Sequence, residues 1–214
     1  MNFLYCERIS IGPFGEPLNI ITNSFFLLAA YLIYRQDFKE TFLSILIALI
    51  GIASFFFHAY PSSFTGLLDI FFIISFMFTY SYKIYKYKFG YNNLLSYIFT
   101  FSFILLSFIF GKFFSRYFLG ISSYYFVIVL HLILIYFLFK KINIEKTILQ
   151  NLYFATLIFI ISLVFRTLDQ LLCTVFNSGT HFLWHILNSM VLFLLVKFYI
   201  LLPDRTTPKK PSKT

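Results

Sequence analysis

The sequence predicts an all-α membrane protein, a seven-transmembrane helix bundle, on three observations. Of its 214 residues, 60% are hydrophobic and only 12% charged, with a mean hydropathy of +0.84, a balance that soluble domains do not reach. Apolar runs recur along almost the whole length, each near the roughly 20 residues that carry a helix across a bilayer. Short connections between the runs hold most of the basic residues. The expected spans are 18–35, 42–59, 65–84, 94–111, 121–139, 148–168 and 181–201, in one domain covering 1–202.

The first span follows a polar stretch with no basic n-region and no small-residue cleavage site, so it is not a cleaved signal peptide and the N-terminus stays on the mature protein. Span 2 ends in GIASFFFHAY, which carries Ser54 and His58. Span 3 has Asp69 about one turn from its start, in FTGLLDIFF. Much of the remaining sequence is Phe-rich, with 33 phenylalanines that read as lipid-facing filler. Span 5 carries His131 near mid-membrane, where packing or an interhelical hydrogen bond accounts for it. Span 6 closes with Arg166, and span 7 opens on HFLWHILNSM with His181 and His185. The tail PDRTTPKKPSKT, 203–214, has no apolar residue and is expected to be disordered.

The net charge of +9 does not point to nucleic acid, because the basic residues are scattered over loops and tail rather than gathered in a patch. Topology explains them. One side of the membrane collects Arg35, Lys39, Lys83, Lys86, Lys88, Lys140, Lys141, Lys146, Arg205 and the tail lysines, whereas the other has only Arg8, Lys112, Arg116 and Arg166. The positive-inside rule then makes the C-terminal tail cytoplasmic and the N-terminus external or lumenal. Lys197, late in span 7, can snorkel to the cytoplasmic face.

With this topology the end of span 2 and the starts of spans 3 and 7 lie at one depth, near the outer surface. His181 and His185, at i and i+4, share a helical face and can point at one metal ion. An H-x3-H pair alone is a weak signal; a third imidazole from His58 gives three nitrogen ligands and an open fourth position, the pattern of a catalytic zinc whose bound water ionises near neutral pH. Asp69 is the candidate base for that water. Ser54, one turn before His58, can hydrogen-bond an oxyanion or the water.

These residues resemble the alkaline ceramidases, in particular their shorter bacterial members, within a group of seven-span membrane hydrolases that includes the adiponectin-type receptors. The matching motifs are YCE at 5–7, EPLNIITN at 16–23, SFFFH at 54–58, LLD at 67–69, RTLDQLLC at 166–173 and HFLWH at 181–185. They run through nearly the whole chain. The resemblance implies an intramembrane zinc amidase with His58, His181 and His185 as ligands, Asp69 activating water and protonating the leaving amine, and Ser54 assisting. The substrate implied is ceramide, entering sideways from the bilayer and cleaved to a sphingoid base and a fatty acid. The membrane implied is a bacterial inner membrane.

Other matches have two readings each. Asp169 and Arg166 fit the family's sixth-span pattern, either orienting a ligand histidine or forming a structural ion pair. Trp184 is expected to face the interface as an anchor. The family's eukaryotic calcium site is matched at Glu7 and Glu16, but Leu4, Tyr5 and Ile9 stand where it has Asp, Trp and Asn. That falls short of the roughly six or more oxygens calcium takes, and the other reading of the two glutamates is a hydrogen-bonded cap over the helix ends. Ile70 stands where those members commonly have Glu. By the resemblance Cys6 and Cys173 form a disulfide; two buried free thiols are the alternative. From another functional class, a zinc-containing receptor or lipid-binding protein without significant turnover fits the same metal site. Nothing in the sequence speaks to oligomeric state.

Overall fold

The computed structural model describes residues 5–10, 12, 14–117 and 120–205; Leu4 and tail residues 206–214 lie outside them. Seven helices are long and apolar enough to cross a membrane: α1 Pro17–Gln36, α2 Phe38–Ala59, α3 Ser63–Lys88, α4 Asn93–Phe114, α5 Gly120–Lys141, α6 Lys146–Leu168 and α7 His181–Leu201. No strand occurs among the described residues. The seven expected spans are thus all present. α3 runs beyond its expected end because Ile84–Lys88 continues the helix as a π turn.

Local sequence explains where the helices near the site begin. α1 starts with Pro17 in its first turn, where the missing N–H costs nothing, and is interrupted at Asn23, whose side-chain amide donates to Asn19 O at 2.8 Å. α3 opens on a capping box: Ser62 Oγ accepts from Thr65 N at 3.1 Å and Ser62 N donates to Thr65 Oγ1 at 3.0 Å. That fixes the first turn and sets Asp69 just below it. α7 starts after Gly179, which has φ +60°, and its free N–H groups are met by the Asp169 carboxylate: Oδ1 accepts from Thr180 N at 2.7 Å and His181 N at 2.9 Å. A negative charge at a helix N-terminus also complements the helix dipole.

Each helix packs against its neighbours in sequence, and α7 returns to α1, so the seven form a closed ring, with the most extensive packing between α6 and α7. Without a hydrophobic drive inside lipid, such contacts depend on close fit. At the α1–α2 crossing a Cβ on Gly51 would stand 2.7 Å from Phe26 Cβ, and Ala29, Ala30 and Ala53 are buried. Ser44 Oγ donates across this crossing to Ala30 O at 2.6 Å. Large side chains such as Phe101, Phe113, Leu134 and Phe137 are exposed on the outside of the ring, where lipid would meet them.

The two ends are finished differently. On the face opposite the N-terminus, Lys88 Nζ donates to Leu202 O at 2.6 Å and Asp204 Oδ1 at 2.7 Å, and Arg205 N donates to Tyr87 O at 2.9 Å. The first residues after α7 are therefore tied to the end of α3. On the N-terminal face, residues 5–10 and 14–16 belong to a strap across the mouth of the ring, and a disulfide joins Cys6 to Cys173 in the α6–α7 connection.

Candidate metal centre

α2 ends at this face and α7 begins there, which brings His58, His181 and His185 together. The three are at most 2% exposed, and one nitrogen from each lies within 4.8 Å of the others. The ring centroids form a near-equilateral triangle: 5.3 Å for His58–His181 and 4.8 Å for each of the other two pairs. This is the only group of three or more metal-ligand side chains among the described residues.

The back sides of two rings are held. Glu16, fully buried, bonds His58 Nδ1 through Oε2, while its Oε1 pairs with Arg8 Nη2 at 2.5 Å and Asn19 Nδ2 donates to Oε2 at 3.0 Å. Thr22 Oγ1 lies 3.1 Å from His185 Nδ1. That hydroxyl already donates to Leu18 O at 2.7 Å, so toward His185 it accepts. Both Nδ1 atoms then carry the proton, leaving the Nε2 lone pairs for a common centre, which is how ligand histidines are usually oriented. His181 Nδ1 is buried with no hydrogen-bond partner among the described residues, and Tyr5 stacks on its ring at 4.0 Å. Three neutral imidazoles, two with fixed tautomers and one with an orphaned nitrogen, fit a nitrogen-preferring divalent ion such as zinc.

The strap supplies much of this support. Glu7 accepts from Leu18 N at 2.5 Å and Asn19 N at 2.8 Å and so caps α1, and Arg8 Nη2 donates to His58 O at 3.2 Å. Burial pushes the carboxyls of both Glu7 and Glu16 above their ordinary range, with the Asn19 amide and Arg8 opposing it at Glu16. The two carboxylates are directed at protein donors.

A cavity of about 280 Å³ occupies the inside of the ring next to the imidazoles. His181, His185, Asp69, Ser54, Arg166 and Asn188 provide its polar wall. Asp69 Oδ1 is buried without a hydrogen-bond partner among the described residues. The remainder is mostly apolar, with Ile73, Met77, Ile128 and Leu192 among the lining residues. Where Tyr80 Oη donates to Leu195 O at 3.0 Å, α3 and α7 are joined toward the opposite face.

Two expectations need correction. Trp184 is not an interfacial anchor: it is 5% exposed, lines the cavity and packs edge-on to Tyr125 at 5.2 Å. The spacing 181, 184, 185 and 188 puts it on the ligand face of α7, a signal present in the sequence. Arg166 and Asp169 make no ion pair. Asp169 is turned to the start of α7, and the Arg166 guanidinium lies over the rings of Trp184 at 4.8 Å and Tyr125 at 5.2 Å. One turn of helix separates their carbons, but each side chain finds a better partner on another element. Sequence reasoning missed Thr22, the Tyr5 stacking and Asn188; the last is on the ligand face by spacing, whereas the first two are partners across long sequence separations.

His131 makes no interhelical hydrogen bond through Nε2, which is buried without a partner among the described residues. Its ring stacks on Phe103 at 3.9 Å.

The sequence model of a family described as Ceramidase matches residues 5–213. No curated protein and no solved structure matches the chain. A match over nearly the full length, on a seven-helix bundle holding three buried histidines, decides the assignment: the chain belongs to the ceramidase family, whose reaction is hydrolysis of the amide bond of ceramide.

Proposed function

We propose that this protein is a zinc-dependent amidase that cleaves ceramide-like N-acyl lipids inside the membrane to a sphingoid base and a free fatty acid. The observation that carries the reading is the trio His58, His181 and His185, with ligand atoms within 4.8 Å of one another, opening on a largely apolar cavity. These three residues would hold the zinc, which when bound supplies Lewis acidity toward a carbonyl and a water acidic enough to ionise near neutral pH.

The protein's own groups do the rest. The apolar wall receives the chains of the lipid, so the amide sits among the polar groups at one end. Asp69, with a buried Oδ1 that has no hydrogen-bond partner among the described residues, takes the proton of the attacking water and returns it to the departing amine. Ser54 lines the same wall and donates to the oxygen that gains charge. Arg166, held over Trp184 and Tyr125, offers a cation to the fatty-acid carboxylate as it forms. The strap, sealed by its disulfide, excludes bulk water from the ligand side of the site. We place the N-terminal face outside or in a lumen, which agrees with the distribution of Lys and Arg and with a disulfide on that face.

The test is fatty-acid release from a fluorescent N-acyl-sphingosine by the protein purified in detergent, before and after chelation and after zinc is returned. Turnover that is lost to the chelator and restored by zinc supports the reading. A zinc-loaded protein that releases nothing from this lipid, or from other long-chain N-acyl amines, removes the amidase in favour of a lipid-binding protein.

A further inference from the structure

The cavity does not become uniformly apolar away from the metal centre. His131, on α5, and Ser81, on α3, both line it, and they are 9% and 3% exposed. The His131 ring is sandwiched by position rather than by hydrogen bonds: Phe103 stacks on it at 3.9 Å with planes 17° apart, and Tyr85 meets it edge-on at 5.9 Å. Tyr85 follows Ser81 by four residues, and both Ser81 and His131 line the cavity. Nε2 of His131 has no partner among the described residues. A buried polar atom left unmatched is destabilising, and surrounding lipid offers nothing to offset it.

The helix rise sets the depth. His131 is about 9 Å along α5 from Tyr125, and Ser81 about 18 Å along α3 from Asp69, at ~1.5 Å per residue. Tyr125 lies beside Trp184, between the histidine ligands. A lipid with its amide at the metal centre would therefore run its chain past His131 first and past Ser81 farther on.

We propose that His131, with Ser81 farther along the same cavity, forms a second polar subsite that binds a hydroxyl group carried on the lipid chain away from the amide. The imidazole accepts or donates through its unmatched nitrogen. The subsite selects hydroxylated chains over plain ones because a hydroxyl entering an otherwise apolar tunnel must find a partner there. This rests on the amidase reading of the same cavity.

The test compares kcat/KM for N-palmitoyl-sphingosine with a series carrying one hydroxyl at successive positions of the acyl chain. For the wild type, the ratio of hydroxylated to plain substrate should reach about tenfold at distal positions, the effect of one well-formed hydrogen bond, and fall for hydroxyls near the amide. In His131→Phe, which keeps an aromatic ring against Phe103, and in Ser81→Ala, the ratio should collapse toward one. A second readout needs no turnover: thermal stabilisation by a distally hydroxylated fatty acid compared with the plain acid, larger for the wild type and equal in His131→Phe. Equal ratios at every position in the wild type, or a preference that survives in both variants, overturn the subsite. If neither lipid turns over, the amidase reading fails, and the thermal comparison still decides the subsite.

Discussion

Glu16 and Thr22 each face the rear nitrogen of a ligand imidazole, and their effect is felt through the ring. With the carboxylate of Glu16 on His58 and the Thr22 hydroxyl on His185, the tautomers are set before any ion arrives. Partners of this kind are typically worth about 10–100-fold in metal affinity. Glu16→Gln and Thr22→Val should therefore weaken zinc binding by about that factor, read by competition with a chromogenic chelator, while Asn188→Ala should leave it unchanged. These contacts could not be read from spacing: Glu16 is 42 residues from His58 and Thr22 is 163 from His185. The three histidines were legible because two share a helix face and the third is fixed in depth by counting spans. Asp69 was legible by the same count.

At the scale of elements, α7 is the piece that must be placed correctly, since it carries two of the three imidazoles. Three devices hold its start: the Asp169 carboxylate on Thr180 N and His181 N, Thr180 Oγ1 on Phe165 O at 2.6 Å, and Gly179 with its positive φ. A Cβ at Gly179 would collide with the Asp169 carboxylate and come within 2.6 Å of Cys6 Cβ. Gly179→Ala should thus lower the melting temperature and zinc content together, and a variant that keeps both at the wild-type level contradicts this role. The Cys6–Cys173 disulfide ties the strap to the same connection across 167 residues. Cys6→Ser with Cys173→Ser should cost about 3 kcal/mol of stability, seen as a lower thermal midpoint, with faster zinc loss because Tyr5, Arg8 and Glu16 are on the released segment. The helices themselves were plain in the sequence because lipid demands long apolar runs with every backbone group paired internally. The turn before α7 was not, because it depends on one carboxylate reaching across a loop.

The whole molecule is a ring of seven helices around one cavity, polar at the strap end and mostly apolar beyond. That arrangement suits a two-chain lipid whose reacting amide is near a membrane surface. Hydropathy gave the number of spans, and counting them put the three histidines at one end of the bundle, while the inward turn of Trp184 and the cavity's extent needed the packed structure, since both depend on which faces of α3, α5 and α7 meet. The central claim is that His58, His181 and His185 hold the metal and Asp69 moves the proton. Zinc content and N-acyl-sphingosine turnover measured on the same detergent-purified samples of wild type, His181→Ala and Asp69→Asn separate these roles. His181→Ala should lose both, whereas Asp69→Asn should keep its zinc and lose about 100-fold or more of its turnover. Asp69→Asn with wild-type turnover, or His181→Ala with full zinc, would contradict that claim.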